Sequence, residues 1–200
     1  MGRYYMLNKP RGLISACTDQ RQKTVLSCFP EEDRDGLFHV GRLDKDTEGL
    51  LIVTDDGDLC QRLMHPDNIV SKRYLFLCAY ALDTDKLKVL REGMRIYSSS
   101  QECTRPAEVE ILSTQPIEEV TEYLNPVDLK KSRGKKQMTT FGIITITEGK
   151  KHQVRRMLRG VGCYVYYLKR VSIGALCLDD TLAPGEYREL NRSDIDLLME

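Results

Sequence analysis

The segment GRLDKDTEGLLIVTDDGDL, Gly41 to Leu59, places Asp44 on a loop just ahead of the strongly apolar run Leu50 to Val53. A carboxylate held in front of a rigid strand can act as a nucleophile or a general base, and Gly41 and Gly49 allow close backbone approach. Asp46, Glu48, Asp55, Asp56 and Asp58 crowd the same stretch, and most of them read as solvated loop acids or helix caps. Taken alone, the segment does not choose between catalysis and capping. A pair such as Asp44 and Glu48 would also suit a glycosidase, which needs two carboxylates about 5 to 9.5 Å apart across a sugar.

The net charge of the chain is zero, but the charges are segregated. Residues 130–170 hold twelve Lys or Arg and the single acid Glu148, a net +11 that leaves −11 for the remainder. Such segregation lets a protein hold a polyanion on one side and repel it elsewhere. Within this stretch, Pro126, Ser132 and Gly134 argue against a helix and five basic residues lie between Lys130 and Lys136. The pattern predicts a mobile loop over Asn125 to Met138 that can lie along phosphates. A solvated helix face plus a charged loop would give the same run without any ligand. A glycosidase, however, would leave the basic stretch unexplained.

Other chemistries find little support. The seven cysteines stand singly with no Cys-x-x-Cys pair, and His39, His65 and His152 are not at metal-ligand spacing, so neither a metal centre nor a disulfide framework is expected. No run approaches the roughly 18 apolar residues of a membrane helix, and Met1 to Pro10 lack the apolar core of a signal peptide. These features predict a cytoplasmic monomer with no membrane partner. A length of 200 residues with 41% hydrophobic content fits one domain over 1–200, with a two-lobed form allowed.

These candidate groups must be positioned by short elements of both kinds. Runs with β character are Tyr4 to Leu7, Gly12 to Ala16, Leu50 to Thr54, Tyr74 to Tyr80, Ala107 to Leu112, Phe141 to Thr147 and Tyr164 to Ile173. Helices are expected near Asp58 to Met64, Asp83 to Glu92, Lys150 to Val161 and Ser193 to Met199. Helices this few and this unevenly placed do not make a regular βαβ repeat. The expected class is α+β, a largely antiparallel mixed sheet with flanking helices. In the clearest helix, Lys150 to Val161, the residues Val154, Met157, Leu158 and Val161 form one apolar stripe. Arg155 lies at its edge, about 100° from Val154, where a side chain can reach sideways into a cleft.

Several motifs, in order along the chain, resemble those of the RsuA-type pseudouridine synthases. Besides the Asp44 segment, they are LNKPRGLIS (Leu7 to Ser15), LMHPDNIVSKRY (Leu63 to Tyr74), TRPAEVEIL (Thr104 to Leu112), EGKKHQVRRML (Glu148 to Leu158) and LKRVSIGAL (Leu168 to Leu176). Because the first motif begins within ten residues of Met1, the chain looks like the shorter, RluE-like form, with no S4-type RNA-binding domain ahead of the catalytic fold. Lys151-His152-Gln153 reads partway between this branch and the RluA-type branch.

The resemblance implies an enzyme that isomerises uridine to pseudouridine in RNA, ribosomal RNA above all, without metal or cofactor. It implies that Asp44 is the essential carboxylate and that Arg155, in the Gln-Val-Arg triplet, is its countercharge. It also implies that Tyr74 stacks on a flipped base or relays a proton near C5, and that Leu168 closes the other side of the base. A planar Arg42 guanidinium could fill the space that the base vacates. Lys9 and Lys72 could be phosphate ligands or salt-bridge partners of the acidic loop. Arg156, Arg159, Lys130, Lys131, Lys135 and Lys136 read as phosphate contacts. The rival from another class is a non-catalytic RNA-binding protein using the same basic face, but binding alone gives no reason to set an acid among phosphates.

Overall fold

The computed structural model describes residues 2–65, 67–97, 99 and 101–199; Pro66 of the Leu63 to Tyr74 motif lies outside them. In chain order the elements are β1 (Tyr4–Lys9), β2 (Phe38–Val40), β3 (Glu48–Thr54), α1 (Gly57–Met64), β4 (Lys72–Ala79), α2 (Thr84–Glu92), β5 (Glu108–Pro116), α3 (Pro126–Ser132), β6 (Met138–Ile146), α4 (Gln153–Gly160), β7 (Val165–Ile173), β8 (Leu176–Cys177), β9 (Tyr187–Glu189) and α5 (Arg192–Leu197). Among the described residues, β1 pairs antiparallel with β3 and β9, as do β2 with β3, β5 with β6 and β8 with β7, while β3 runs parallel to β7. The class is α+β, with a mostly antiparallel sheet and flanking helices, as the sequence predicts.

The chain divides into two compact units, residues 1–72 with 169–200, and residues 73–168. In the first unit the strand order is β7-β3-β1-β9, with β2 also on β3 and β8 on β7. Strands β1 and β3 pair from Tyr4 with Thr54 to Lys9 with Gly49. Both are covered on both faces, so they read as apolar runs rather than as alternating ones. Met6, Leu50 and Ile52 pack with Leu59 and Leu63 of α1. Asp56 caps that helix by accepting from the amides of Asp58 and Leu59, as expected of one of the crowded acids.

In the second unit the order is β5-β6-β4-β7, and Leu77, Ile117, Val120, Leu124 and Tyr167 form a core. Two expectations fail. Asn125 to Met138 is not a loop throughout: Pro126 to Ser132 form α3, because proline at the first helical position loses no hydrogen bond and the Asn125 side chain caps the amides of Val127 and Asp128. In the first unit, Gly12 to Ala16 makes only an isolated bridge between Ile14 and Thr24 rather than a strand. Gly12 has φ +90°, and the polar groups of this segment are turned to another purpose, described below.

Candidate active site

Residues 41–47 join β2 to β3 and carry Asp44. The His39 ring Nδ1 donates to the Gly41 carbonyl at 2.6 Å, and Gly41 takes φ +68°, a left-handed conformation that favours glycine. Beyond it, the loop is fastened by the chain's first motif. The Ser15 hydroxyl donates to Leu43 O at 2.9 Å and accepts from Leu43 N at 3.0 Å, while the Gly12 amide donates to Lys45 O at 2.9 Å. The amine of Lys9 donates to the carbonyls of Thr47 at 2.9 Å, Pro10 at 3.0 Å and Lys45 at 3.3 Å. The Thr47 amide donates to Asp44 O at 3.0 Å. Leu43 and Thr47 are buried and Asp44 between them is half-buried, so the carboxylate stands on a backbone held at both flanks.

Lys9 is fully buried in this clamp. Desolvation pulls its amine down to about 8, against the opposing pull of Glu48, Asp46 and Asp44, which favour the charged form. The amine thus meets the acidic loop through its backbone carbonyls. Glu48 is bound to Arg11 Nε at 3.0 Å. Arg42 is exposed beside the anchored Leu43. Lys72 is half-buried, donates to Val70 O at 2.8 Å and is pulled down to about 8 by burial first and by Arg170 next. Where β3 starts, Gly49 takes φ +99° beside Arg170, and a Cβ there would overlap the Arg170 carbonyl oxygen. Arg170 is itself buried and donates through Nε to Leu50 O at 2.8 Å.

In the second unit the motif Glu148 to Leu158 builds the start of α4. Gln153 is buried, donates to Glu148 Oε1 at 2.8 Å and accepts from the Lys150 amide at 2.9 Å. His152 sits left-handed at φ 55°, so the helix begins at Gln153 rather than at Lys150. Of the expected stripe, Val154, Met157 and Leu158 are buried, while Val161 lies just past the helix end and is half-buried. Arg155 at its edge is half-buried and donates through Nη1 to Val165 O at 3.3 Å. Arg156 lies over the Tyr97 ring, 4.2 Å from its centroid, a cation–π contact. Tyr74 on β4 and Leu168 on β7 are both buried. Arg159, Lys130, Lys131, Lys135 and Lys136 are exposed.

A family model described as RNA pseudouridylate synthase matches residues 3–159 of this chain. The chain belongs to the RNA pseudouridylate synthase family. Among curated proteins, this synthase is 41% identical over 198 residues to the uncharacterized RNA pseudouridine synthase YtzG of Bacillus subtilis (strain 168), which covers 98% of the chain and 73% of that protein. It is 35% identical over 193 residues to ribosomal small subunit pseudouridine synthase A of Yersinia pestis, covering 96% of the chain and 71% of that protein. A crystal structure of a pseudouridylate synthase superposes with a TM-score of 0.81 at 32% identity, over 99% of the chain and 74% of that structure.

Sequence reasoning missed the residues that hold the synthase's loop. Ser15, Gly12 and Arg11 all lie inside the first quoted motif, yet nothing in their local pattern reveals partners so distant in sequence. Among the described residues, no group of three or more His, Cys, Asp or Glu side chains is placed to hold a metal ion, and no helix is long and apolar enough to cross a membrane.

Proposed function

We propose that this synthase isomerises a uridine of ribosomal RNA and that Asp44 supplies the catalytic carboxylate, with Tyr74 and Arg155 acting alongside it. The reaction detaches uracil from C1′ of the ribose, turns it and rejoins it through C5, so no electrons are exchanged and no external reactant is consumed. A carboxylate suits it, because it can attack the sugar or the base, or take a sugar proton, and later leave.

The observation that carries this reading is the clamp on residues 43–47. Three side-chain and backbone groups from residues 9–15 fix the backbone on either side of Asp44 while its side chain stays half-exposed. A capping or solvated loop acid has no need of such support, whereas a nucleophile does. Ribosomal RNA is supported by the name of the Yersinia pestis relative. The acid pair required of a glycosidase is disfavoured by the attachment of Glu48 to Arg11. In the same reading the synthase works in the cytoplasm as a monomer whose 200 residues form one catalytic domain. Tyr74 and Leu168 hold the flipped base, Arg42 fills its place in the stem, and Arg156, Arg159 and Lys72 meet phosphates.

Asp44→Asn tests the reading, because asparagine keeps the size and one acceptor oxygen but cannot serve as a carboxylate nucleophile or base. The isomerisation leaves mass unchanged, so tritium release from C5-labelled uridine in ribosomal RNA is the assay. We expect no turnover with RNA affinity retained by filter binding. Near-normal tritium release would remove Asp44 from the chemistry.

A further inference from the structure

Tyr80 and Tyr164, both on the second unit, are each 54% exposed, and the backbone brings them together. Tyr80 follows β4 directly, and its amide donates to Met138 O at 2.8 Å; one residue earlier, the Ala79 amide donates to Tyr164 O at 2.7 Å. The end of β4 is therefore tied on one side to the start of β6 and on the other to the residue ahead of β7. Tyr166 belongs to the same cluster. Its ring meets Tyr164 edge-on with centroids 5.2 Å apart, and its hydroxyl accepts from Gln137 Nε2 at 3.0 Å. Burial pushes the Tyr166 hydroxyl up, and Asp128, Tyr80 and Tyr164 are near enough to push it further.

Tyr80 also has φ 67°, a left-handed conformation that bulky residues adopt only where their surroundings impose it. A glycine or asparagine would be at ease there. A tyrosine more than half exposed adds little to the core to offset that strain, so its ring has no evident structural use.

Basic residues border the rings on two sides. The Tyr164 hydroxyl donates to Asp128 Oδ2 at 3.5 Å in the first turn of α3, and Lys131, three residues on, occupies the same face of that helix. Gln137, bonded to Tyr166, directly follows Lys135 and Lys136. Lysine is depleted from protein–protein interfaces, whereas exposed aromatic rings beside a basic track are the means of binding unpaired nucleic acid.

We infer that Tyr80 and Tyr164 form a stacking platform for unpaired bases of the RNA, with Lys130, Lys131, Lys135 and Lys136 holding the phosphates that flank them. The inference rests on the reading of RNA as the substrate and assigns a binding surface outside the catalytic motifs.

The test is fluorescence anisotropy of a short fluorescein-labelled single-stranded RNA titrated with the full chain, at several salt concentrations. Tyr80→Asn removes one ring while easing the backbone, and Tyr164→Ala removes the other. We expect each to weaken binding by about 5-fold or more without changing the salt slope, with Tyr80→Phe and Tyr164→Phe binding like the parent. A duplex RNA should show no such dependence, because its bases are not free to stack. Parent-like affinity in both ring-deleted variants, or an equal loss on the duplex, overturns the platform. Self-association in RNA-free protein that disappears with the rings overturns it in favour of a second copy of this chain. Ring-dependent binding with no tritium release from ribosomal RNA would support the platform and overturn only the substrate reading.

Discussion

The Ser15 hydroxyl holds both backbone polar groups of Leu43, donating to the carbonyl at 2.9 Å and accepting from the amide at 3.0 Å. One side chain thus fixes the peptide immediately before Asp44. Ser15→Ala would leave a buried donor and acceptor without this partner, a local cost of about 1–3 kcal/mol. A displacement of about 1 Å near the chemistry can cost on the order of 100-fold in rate. We expect kcat, followed by tritium release, to fall by at least about 10-fold while RNA affinity is unchanged, and an equal fall in affinity would assign Ser15 to binding instead.

The Lys9 amine gives a pH signature. Its value falls from 10.5 to about 8 on folding, with burial as the first cause. Between those values the unfolded chain binds more protons than the folded one, so stability rises with pH across that window. Below about 8 the burial penalty is present in full, and it is relieved as the folded amine loses its proton. Lys9→Met removes the titration and also leaves three carbonyls without this donor, so the variant is less stable throughout. The urea midpoint gap between parent and variant should widen from pH 8 towards 10.5; a constant gap would show that Lys9 is not desolvated.

Gly49 has no room for a methyl group against the Arg170 carbonyl, and its φ of +99° is strained for any other residue. Gly49→Ala should part the parallel pairing of Glu48 with Lys169 and Gly49 with Arg170. The expected loss is about 3 kcal/mol or more in urea unfolding. A parent-like midpoint would rule out so close an approach of β3 to β7.

Lys130, Lys131, Lys135 and Lys136 are exposed, and none is ion-paired with an acid among the described residues. Replacing all four by glutamine should flatten the dependence of log affinity on log salt. Each lost phosphate contact lowers the slope by about 0.7 on single-stranded and about 0.9 on duplex nucleic acid. An unchanged slope would exclude this face from RNA binding.

Periodicity and capping made part of this molecule legible. The stripe of Val154, Met157 and Leu158 is a local property of the chain, and so is the cap at Asp56. Helix α3 was equally local but was misread: Pro126 is a breaker inside a helix and a starter at its first position, and Asn125 ahead of it was the signal that distinguishes the two. The clamp on the Asp44 loop is of another kind. The bonds that tie residues 9–15 to residues 43–47 join positions 28 to 38 apart, and the pairing of β1 with β3 makes them neighbours. Nothing in the spacing of Lys9, Gly12 and Ser15 states what they hold. The same limit hides the left-handed His152, which shortens α4 by three residues against the periodic pattern.

The parallel contact of Gly49 with Arg170 also dictates an order of assembly. The first unit is discontinuous, and β3 meets this neighbour across about 120 residues of chain. A contact of that span forms late, because closing so long a loop costs entropy before it returns any stabilisation. During synthesis, residues 73–168 are complete before the rest of β7, and then β8 and β9, emerge to finish the unit that carries Asp44. On the proposed reading, a partly made chain can therefore present the basic unit while the carboxylate still lacks its final support, so unfinished protein can occupy RNA before it can modify it.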